Sequence, residues 1–569
     1  MFRANNDFNI NKKLSASLDV SIRHAKSRNQ IYDPFSTMRL MPAIYPAMWS
    51  DGRIASGKSG SNPYGLLKNG GSTVSHSTQL SGKGSLTYKP LTGLSLSAII
   101  SPFINYQKSK QFKLACWYTL PDDPDVIGGY LDAGSLYATN KLTEGRNDNW
   151  HVTSQLLANY MRTFGKHDIT VMAGFENYYM KSENLSAARD QYELTNYPFL
   201  NIGSEDFQTN SGTGAEYTSN SFFGRLLYSY ANRYLFQANV RRDGSSRFAK
   251  NYRWGTFPSF SAGWVMSEEP FMQKANLPWL SYLKLRASWG KLGNERIGSN
   301  YFPYIALMNF GSTLFYMADG SVVSGSTARP AVLAVEDITW ETTTSTDLGF
   351  DANFLNNRLH INFDYYWKKT TDMLLAIQIP YTMGYNSPNT NAGKMSTHGY
   401  DIDVSWQDHI GDFKYSVGLN FSDYLSKIDY LNNSDIISGG KVKRAGVLFN
   451  EFYGYVCDGI YQTQDEVQNS ARTSNSVTVG DLKYRDISGP DGVPDGKISP
   501  EYDRVPLGNS LPRYQYGGNL SASWKGIDLN IAFQGIGKQN AYLDQAMVQP
   551  FRNNFGNVPA IIEGGLPVR

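Results

Sequence analysis

The sequence predicts an all-β fold: a transmembrane antiparallel β-barrel of the outer-membrane type, with long extracellular loops and short periplasmic turns. The prediction rests on alternating strand-length segments, on connections that alternate between short and long, and on a high aromatic content. Aromatic residues make up 14% of the 569 residues, and Tyr alone accounts for 38, which favours β structure. No apolar run approaches the roughly 18 residues that a membrane-spanning helix needs, whereas barrel strands need only alternation.

The clearest alternation lies in residues 345–368, which read as two strands joined by a tight turn. In the second strand an apolar set alternates with a polar set, namely Leu359, Ile361, Phe363, Tyr365 and Trp367 against His360, Asn362, Asp364, Tyr366 and Lys368. Successive strand side chains point to opposite faces, so one face is apolar and the other polar. Asn356-Asn357 suits a two-residue turn because Asn tolerates positive φ. A soluble hairpin packed on a core would show the same pattern. The recurrence of this pattern along the chain is therefore what distinguishes a barrel from such a hairpin.

The same unit recurs in about sixteen strand-like segments. They are residues 2–9, 14–25, 73–89, 94–105, 148–163, 167–181, 216–230, 234–243, 253–266, 280–290, 340–354, 358–371, 395–407, 412–428, 512–524 and 527–536. Short turns alternate with long connections at about 26–72, 106–147, 182–215, 291–339 and 429–511, while 267–278 looks like a helical turn. Loops this long argue against a compact soluble domain. The alternation is typical of outer-membrane barrels, whose sheet closes because lipid supplies no hydrogen bonds.

The apolar strand faces are predicted to contact lipid, at positions such as Phe350, Phe363, Leu419 and Ile531. Aromatic rings close to the short turns suit the lipid–water boundary, where barrels carry aromatic girdles. These rings belong to Tyr160, Tyr228, Tyr230, Tyr234, Phe257, Trp264, Trp279, Tyr282, Phe354, Trp406, Tyr415 and Trp524. For any single one of them, a strand that is simply rich in aromatics is an equally good explanation.

The competing fold is a large soluble all-β protein, such as a propeller or tandem sandwiches. That fold predicts evenly short loops and a repeat of about forty to fifty residues, and the sequence shows neither. The net charge of +3 is too balanced to indicate a nucleic-acid partner. No basic region followed by an apolar run marks a signal peptide at the start, so we expect either a fragment or a chain whose export signal has been removed.

Eight stretches carry a resemblance to a known family. They are NRYLF at 232–236, RRDGSSRF at 241–248, NYRWGTFPSFSAGW at 251–264, LKLRASWGKLGN at 283–294, WET at 340–342, DLGF at 347–350, GYD at 399–401 and FYGY at 452–455. In this order they resemble the SusC/RagA-type TonB-linked outer-membrane proteins of Bacteroidota. The resemblance covers essentially the whole chain. It implies a barrel of about 22 strands with an N-terminal plug and a TonB box, which imports oligosaccharides or peptides together with a SusD-like surface lipoprotein and the TonB complex.

The chain departs from the family pattern at both ends. No plug or TonB box is recognisable, and residues 2–9 are expected to be the fourth strand of the family barrel. Residues 527–536 are then about the nineteenth, with the closing strands missing. Residues 1–569 are therefore interpreted as an incomplete barrel domain of a nutrient importer in the outer membrane. The alternative function is a surface adhesion or structural β protein without active transport.

The loop at 486–503 carries the strongest local signal for a ligand. Its acidic residues are spaced through Gly-rich sequence and can wrap oxygens around Ca²⁺. The predicted ligands are Asp486, Asp491 and Asp495. The match to an EF-hand is incomplete, because positions three and twelve would be Val493 and Tyr502. A solvated acidic turn explains the same residues equally well.

No catalytic constellation is predicted. The seven His are scattered, and Asp401 and Asp403, on one strand face, fit the wall of a wet lumen better than a glycosidase pair. Cys116 and Cys457 form either one long-range disulfide or two unpaired thiols. Substrate-binding residues are not assigned. Loop aromatics suited to a sugar, a peptide or the lipoprotein are Trp117, Tyr118, Tyr301, Tyr304, Phe315 and Tyr316.

Overall fold

The computed structural model describes residues 1–34, 41–42, 44–58, 60–131, 138–298, 301–306, 308–330, 333–377, 379–432 and 435–543. The strands are β1 (Phe2–Asn9), β2 (Leu14–Gln30), β3 (Gly71–Tyr88), β4 (Leu94–Lys113), β5 (Trp117–Thr119), β6 (Ile127–Tyr130), β7 (Lys141–Phe164), β8 (His167–Arg189), β9 (Gln208–Tyr230), β10 (Tyr234–Ser245), β11 (Trp254–Val265), β12 (Leu280–Asn294), β13 (Met308–Tyr316), β14 (Val322–Pro330), β15 (Glu341–Phe354), β16 (Leu359–Ala376), β17 (Asn389–Ile410), β18 (Phe413–Leu431), β19 (Ile436–Ser438), β20 (Lys441–Lys443), β21 (Glu451–Tyr455), β22 (Cys457–Ile460), β23 (Leu482–Tyr484), β24 (Arg504–Asn509), β25 (Arg513–Trp524) and β26 (Ile527–Lys538). The helices are short: α1 (Pro63–Asn69), α2 (Pro270–Ala275) and α3 (Gln464–Asn469). None of the described helices is both long and apolar enough to cross a membrane.

Sixteen of the described strands form one large antiparallel sheet, in the order β1-β2-β3-β4-β7-β8-β9-β10-β11-β12-β15-β16-β17-β18-β25-β26. Every predicted strand is present in it, which confirms the fold class. β1 and β26 stand at the two ends of this strand order. Several strands extend beyond their predicted bounds at the long-loop end; β7, for example, begins at Lys141. The residues there are polar on both faces, so the alternation that predicts a strand has faded.

The turn between β15 and β16 is longer than predicted. Leu355, Asn356 and Asn357 all have positive φ, so the turn between β15 and β16 has four residues rather than two. The last paired residues are Phe354 and Leu359. Leu355 is held in its unfavourable conformation by the hydrogen bond that its N–H donates to the Trp279 carbonyl, at 2.8 Å. The predicted helical turn at 267–278 is confirmed by a short 3-10 helix followed by α2.

The first of two compact units comprises Met1–Leu157 and Glu176–Thr218 together with the C-terminal residues. Its loop-side core is a cluster of Leu66, Cys116 and Leu131. Asn62 caps α1 from a buried position: its Oδ1 accepts from Gly65 N, and its Nδ2 donates to the carbonyls of Ala47 and Ala55. A buried amide with all three partners in place fixes the entry to the helix.

The second unit comprises Ala158–Phe175 and Ser219–Ala541. Its long connections contain sheet structure of their own, where the sequence predicts only loops. β13 and β14 form a hairpin, β19, β20, β21 and β24 form a four-stranded sheet, and β22 pairs with β23. Most of these strands have three to six residues, which is too short for an alternation pattern to be distinguished from chance.

The strand register of the second unit separates an apolar face from a polar one. Phe350 pairs with Phe363, and Phe363 with Ile402. Leu419 and Ile531 share this apolar face through the pairing of β17, β18, β25 and β26. All four positions predicted to contact lipid therefore lie on one face.

The aromatic residues close to the short turns pack on one another. The rings of Trp279 and Phe354 are stacked with centroids 6.0 Å apart, and Trp406 Nε1 donates to Tyr415 Oη at 3.4 Å. Phe257 is an exception to the predicted girdle: it lies near the long-loop end of β11, where its ring meets Trp340 at 5.3 Å.

We predict that Leu419→Arg destabilises the protein in a bilayer by roughly 2–4 kcal/mol, because a charge on the lipid face loses its hydration. Asn420→Arg is the matched control, since the next residue along the strand points to the polar face. Unfolding by urea in lipid vesicles measures both free energies. Single cysteines at Phe350, Phe363, Leu419 and Ile531 should resist a membrane-impermeant reagent. Equal destabilisation by the two Arg variants, or rapid labelling at all four cysteines, would contradict the assignment.

Candidate functional site

The polar side of β12, β15, β16 and β17 forms a continuous charged face. Its charged members include Lys284, Arg286, Asp347, Asp351, Asp364, Lys368, Asp401 and Asp403, which the register places on one side of the sheet. Carboxylates outnumber cations among them. This excess makes the potential over the charged face negative. The prediction that Asp401 and Asp403 belong to a wet wall fits this arrangement.

Arg286 organises the centre of the charged face. Its Nη1 lies 2.9 Å from Asp364 Oδ1, and its Nε lies 3.0 Å from Asp351 Oδ2. Its Nη2 donates to Asn362 Oδ1 at 2.8 Å. One guanidinium therefore joins three strands through its planar fork of donors, a geometry that Lys cannot reproduce.

Gly349 makes room for this network. A Cβ at position 349 would overlap Asp364 Oδ1 and would approach the Phe363 carbonyl within 2.6 Å. Gly349 pairs with both Arg286 and Asp364 across the sheet. The glycine of the DLGF stretch is thus required by the close approach of a charged pair rather than by a turn.

Several of the resembling stretches meet at the long-loop end of the second unit. Phe248 is fully buried, and its ring lies 5.4 Å from that of Trp340, which also meets Phe257. Trp340 Nε1 donates to the Arg253 carbonyl at 3.0 Å, and Arg253 Nε donates to the Phe248 carbonyl at 3.3 Å. Gly293 lies against Phe257, where a Cβ would collide with the ring. Residues distant in sequence thus form one packed junction.

Glu341 extends this junction into a third strand. One carboxylate oxygen accepts from Asn294 Nδ2 and the other from the Leu374 N–H, both at 3.1 Å. β12, β15 and β16 are therefore tied together where the loops begin. Within the WET stretch, Trp340 supplies the ring that packs in the junction, and Glu341 supplies the carboxylate that links the strands.

The predicted calcium ligands are placed as follows. Asp486 Oδ2 accepts from Gly496 N at 2.6 Å, whereas its Oδ1 is buried without a hydrogen-bond partner. Asp495 Oδ1 accepts from Lys497 N at 3.0 Å, and Asp491 is exposed. In the described part of the chain, no three His, Cys, Asp or Glu side chains are placed to share a metal ion. A Ca²⁺ bound here would need backbone carbonyls besides these carboxylates, and calcium binding stays a prediction.

Asp503, which was not among the predicted ligands, organises the same loop. It is fully buried, and it accepts from the N–H groups of Ile487, Ser488 and Ser499. Burial alone raises the pKa of Asp503, but these hydrogen bonds outweigh it and hold the pKa below its usual value. The sequence shows several acidic residues in this Gly-rich loop. It does not reveal which of these side chains is buried and accepts the backbone hydrogen bonds of the loop.

The remaining candidate residues are the two cysteines and the aromatic residues of the long loops. Cys116 is buried and Cys457 exposed, each as a free thiol, so the disulfide alternative is wrong. Burial raises the pKa of Cys116 to about 11, which makes it a poor nucleophile. Of the loop aromatics, Trp117 and Tyr316 are exposed, while Tyr301 packs on the Arg247 guanidinium at 4.3 Å.

Comparison with known sequences identifies the family. Residues 49–544 match the family described as TonB dependent receptor-like, beta-barrel. The chain belongs to this family. TonB-dependent receptor P26 of Formosa agariphila is 28% identical over 563 residues, which is 95% of this chain and 53% of that protein. TonB-dependent receptor SusC of Bacteroides thetaiotaomicron is 31% identical over 357 residues, 58% of this chain and 34% of that protein. The chain thus spans about half, or less, of these relatives.

Comparison with solved structures supports the same TonB-dependent receptor fold. The RagAB peptide transporter superposes with a TM-score of 0.73 at 22% identity, over 94% of this chain and 57% of that chain. The predicted membership of the SusC/RagA type is confirmed, and with it the location in the outer membrane. Barrels of this kind turn an apolar face to lipid and a polar face to the lumen, and this is the orientation that we expect for the two faces of the second unit.

We predict that Gly349→Ala lowers the free energy of unfolding by roughly 1–3 kcal/mol, because the added methyl group displaces Asp364 from Arg286. Gly224→Ala is the matched control: it also lies in a strand, but its Cβ would find no atom closer than 3.7 Å. Urea unfolding in vesicles compares the two variants. A Gly349→Ala protein as stable as the control would refute this explanation of the glycine.

We also predict that the 486–503 loop binds Ca²⁺ with a dissociation constant of about 0.1–1 mM, the range of extracellular sites. Isothermal titration should show binding that weakens at least about tenfold in Asp495→Ala, since a carboxylate ligand is lost. Glu501→Ala, an exposed acid of the same loop, should bind as the parent does. The absence of heat at millimolar Ca²⁺ would reject the site.

Proposed function

We propose that this chain forms the barrel wall of a TonB-dependent importer that takes up oligosaccharides, or peptides, with a SusD-like lipoprotein. The observation that carries the proposal is the two-faced register of the second unit, in which a charged wall backs onto an apolar face. A structural or adhesive β protein has no need of a charged interior, whereas a passage for hydrophilic cargo has to be wet.

Two cargo classes, oligosaccharides and peptides, are each supported by a different relative. The solved relative RagAB is named a peptide transporter, while the oligosaccharide expectation comes from the SusC resemblance. Exposed rings on the long-loop side, such as Trp117 and Tyr316, offer faces for sugar rings as well as grips for peptide side chains.

The hairpin of β13 and β14 supports a protein partner on the loop side. Phe310, Leu314 and Tyr316 lie on one face and are 84%, 66% and 83% exposed. An isolated two-stranded hairpin is marginally stable in water, and a contiguous apolar patch on a surface marks a site of association. A lipoprotein that covers the loops would bury this face.

Energy for import would come from the TonB complex, on which receptors of this family depend according to the family description. The carboxylates and cations of the charged face can hydrate a passage, and vectorial movement would be supplied from outside the wall.

The test uses the receptor in its native cells. We expect that deletion of the receptor, and separately depletion of TonB, abolish uptake of the same labelled oligosaccharide or peptide pool. A pull-down from native membranes should recover a lipoprotein, and Phe310→Ser/Tyr316→Ser should weaken its recovery more than Asn309→Ser, on the opposite face of the hairpin. Uptake that persists without TonB contradicts import, and a loss of surface attachment alone would favour the adhesion alternative.

A further inference from the structure

A polar cavity of about 770 Å³ lies at the long-loop end of the first unit. It opens where β2 and β3 end their pairing and β4 leads into β5. Its walls include Arg28, Gln30, Lys68, Asn69, Trp117 and Glu193. The volume is that of an ordinary small-molecule site.

The cavity borders the packed core of the first unit. Ile54 and Cys116 line it, and both belong to the packed cluster around Leu66 and Leu131. Asn140 fixes the far wall, since its Oδ1 accepts from Ala115 N at 2.7 Å and its Nδ2 donates to the Tyr192 carbonyl at 2.8 Å. A site that borders a packed core loses little conformational entropy when a ligand enters.

Arg53 is part of the frame and not of the ligand surface. Its guanidinium binds Asp51 Oδ2 at 2.6 Å, Thr119 Oγ1 at 2.8 Å and the Leu120 carbonyl at 3.0 Å. The backbone and side-chain hydrogen bonds from Arg53 hold the pKa of Asp51 below its usual value. This pair therefore stays ionised and keeps β5 against the neighbouring loop.

Arg28 and Lys68 differ from Arg53. Arg28 donates through Nε to Ser72 Oγ at 3.1 Å, which aims the side chain, while its terminal nitrogens have no hydrogen-bond partner among the described residues. Lys68 Nζ lies 5.5 Å from the centre of the Tyr64 ring and pairs with no carboxylate in the described part of the chain. Glu193 is the single acid of the lining. The cavity therefore has two cations available to an anionic ligand.

Trp117 is the third residue, after Arg28 and Lys68, that the cavity offers to a ligand. It is 51% exposed although it begins a strand next to the buried Cys116. Its indole ring lines the cavity together with amide side chains such as those of Gln30 and Asn69, so the site offers a flat apolar face as well as polar groups. That combination suits a sugar ring, with its apolar face and hydroxyl edges, better than an extended peptide.

We propose that this cavity binds an anionic oligosaccharide, through Arg28 and Lys68 for carboxylate or sulfate groups and Trp117 for a sugar face. The inference rests on the proposed import function and narrows its cargo to acidic glycans. A guanidinium forms paired hydrogen bonds with either anion, while Lys68 acts as a point charge. Binding should weaken as salt rises, because both cations are exposed.

The experiment uses the intact receptor purified from outer membranes in detergent. The probes are a tetrasaccharide of galacturonic acid, a sulfated tetrasaccharide from heparin, the neutral maltotetraose, and a tetraglutamate peptide. Isothermal titration and quenching of tryptophan fluorescence measure binding at low and high NaCl. We expect at least one of the two acidic sugars to bind about tenfold or more tightly than maltotetraose and tetraglutamate, and the stronger one identifies the anion as carboxylate or sulfate.

Three variants test the residues. Arg28→Gln/Lys68→Gln should lose about tenfold or more in affinity for the acidic sugar, since each charge-assisted contact is strong. Arg28→Lys/Lys68→Arg keeps the charge and should retain most of the binding. Lys12→Gln/Lys89→Gln removes the same charge near the short turns of the same unit and should bind as the parent does. Heat-modifiability on gels confirms that all three are folded.

The outcomes separate this inference from the proposed function. Equal binding of acidic and neutral sugars, stronger binding of tetraglutamate, or an unaltered affinity in Arg28→Gln/Lys68→Gln would overturn the inference while TonB-dependent uptake in cells remained intact. Loss of TonB dependence in cells with acidic-sugar binding preserved would overturn import alone. Trp117→Ala should reduce both affinity and fluorescence quenching, and unchanged affinity there would remove the sugar-face contact from the proposal.

Discussion

The strand register is the constraint on which the rest of this structure depends. In a bilayer each backbone N–H and C=O has to be paired within the sheet, since an unpaired group costs several kcal/mol. A slip of one residue would exchange the two faces of a strand and bring carboxylates such as Asp351 to the lipid. The row from Phe350 through Phe363 to Ile402 and the adjoining row from Asp351 through Asn362 to Asp403 are thus two consequences of one pairing.

The side chains that fix this register are themselves few. Arg286 joins Asp351 on its neighbouring strand to Asp364 on the next, and Gly349 between them leaves the space that the contact needs. At the loop end, Trp340 and Glu341 tie β12, β15 and β16 together by packing and by hydrogen bonds. The ion pairs of Arg286 in the middle of the strands and the packed junction at their long-loop end therefore hold β12, β15 and β16 together at two positions along their length.

The sheet could be predicted from the sequence because its physics is local and repetitive. Period-two alternation over ten or more residues, with short connections between successive strands, leaves little choice of fold. The short strands within the long loops could not be predicted, since three residues such as Lys441–Lys443 carry no period. Asp503 and Arg28 were missed for a different reason. Whether an acid turns inward to cap a loop, or a cation lines a cavity, depends on chain segments that meet only in three dimensions.

The long loop at 432–512 is attached to the large sheet at both of its ends. At its start an isolated antiparallel bridge joins Lys427 of β18 to Leu448, and at its end an ion pair forms where β25 begins. The pairing of β18 with β25 stops at Ser422 and Gln515, and Tyr514 has a positive φ of 54° that takes its N–H out of the ladder. Asp423 accepts that N–H at 3.1 Å and binds both Arg513 Nε and Nη2 at 2.5 Å. Asp423 is 6% exposed, so removing one partner of the pair would leave a buried charge, a loss of about 3–5 kcal/mol. At the point where the ladder ends, a bidentate ion pair thus fixes the loop to the wall, in addition to the backbone bridge between Lys427 and Leu448. A partner that binds the loop would therefore meet a surface whose position is already set by the barrel.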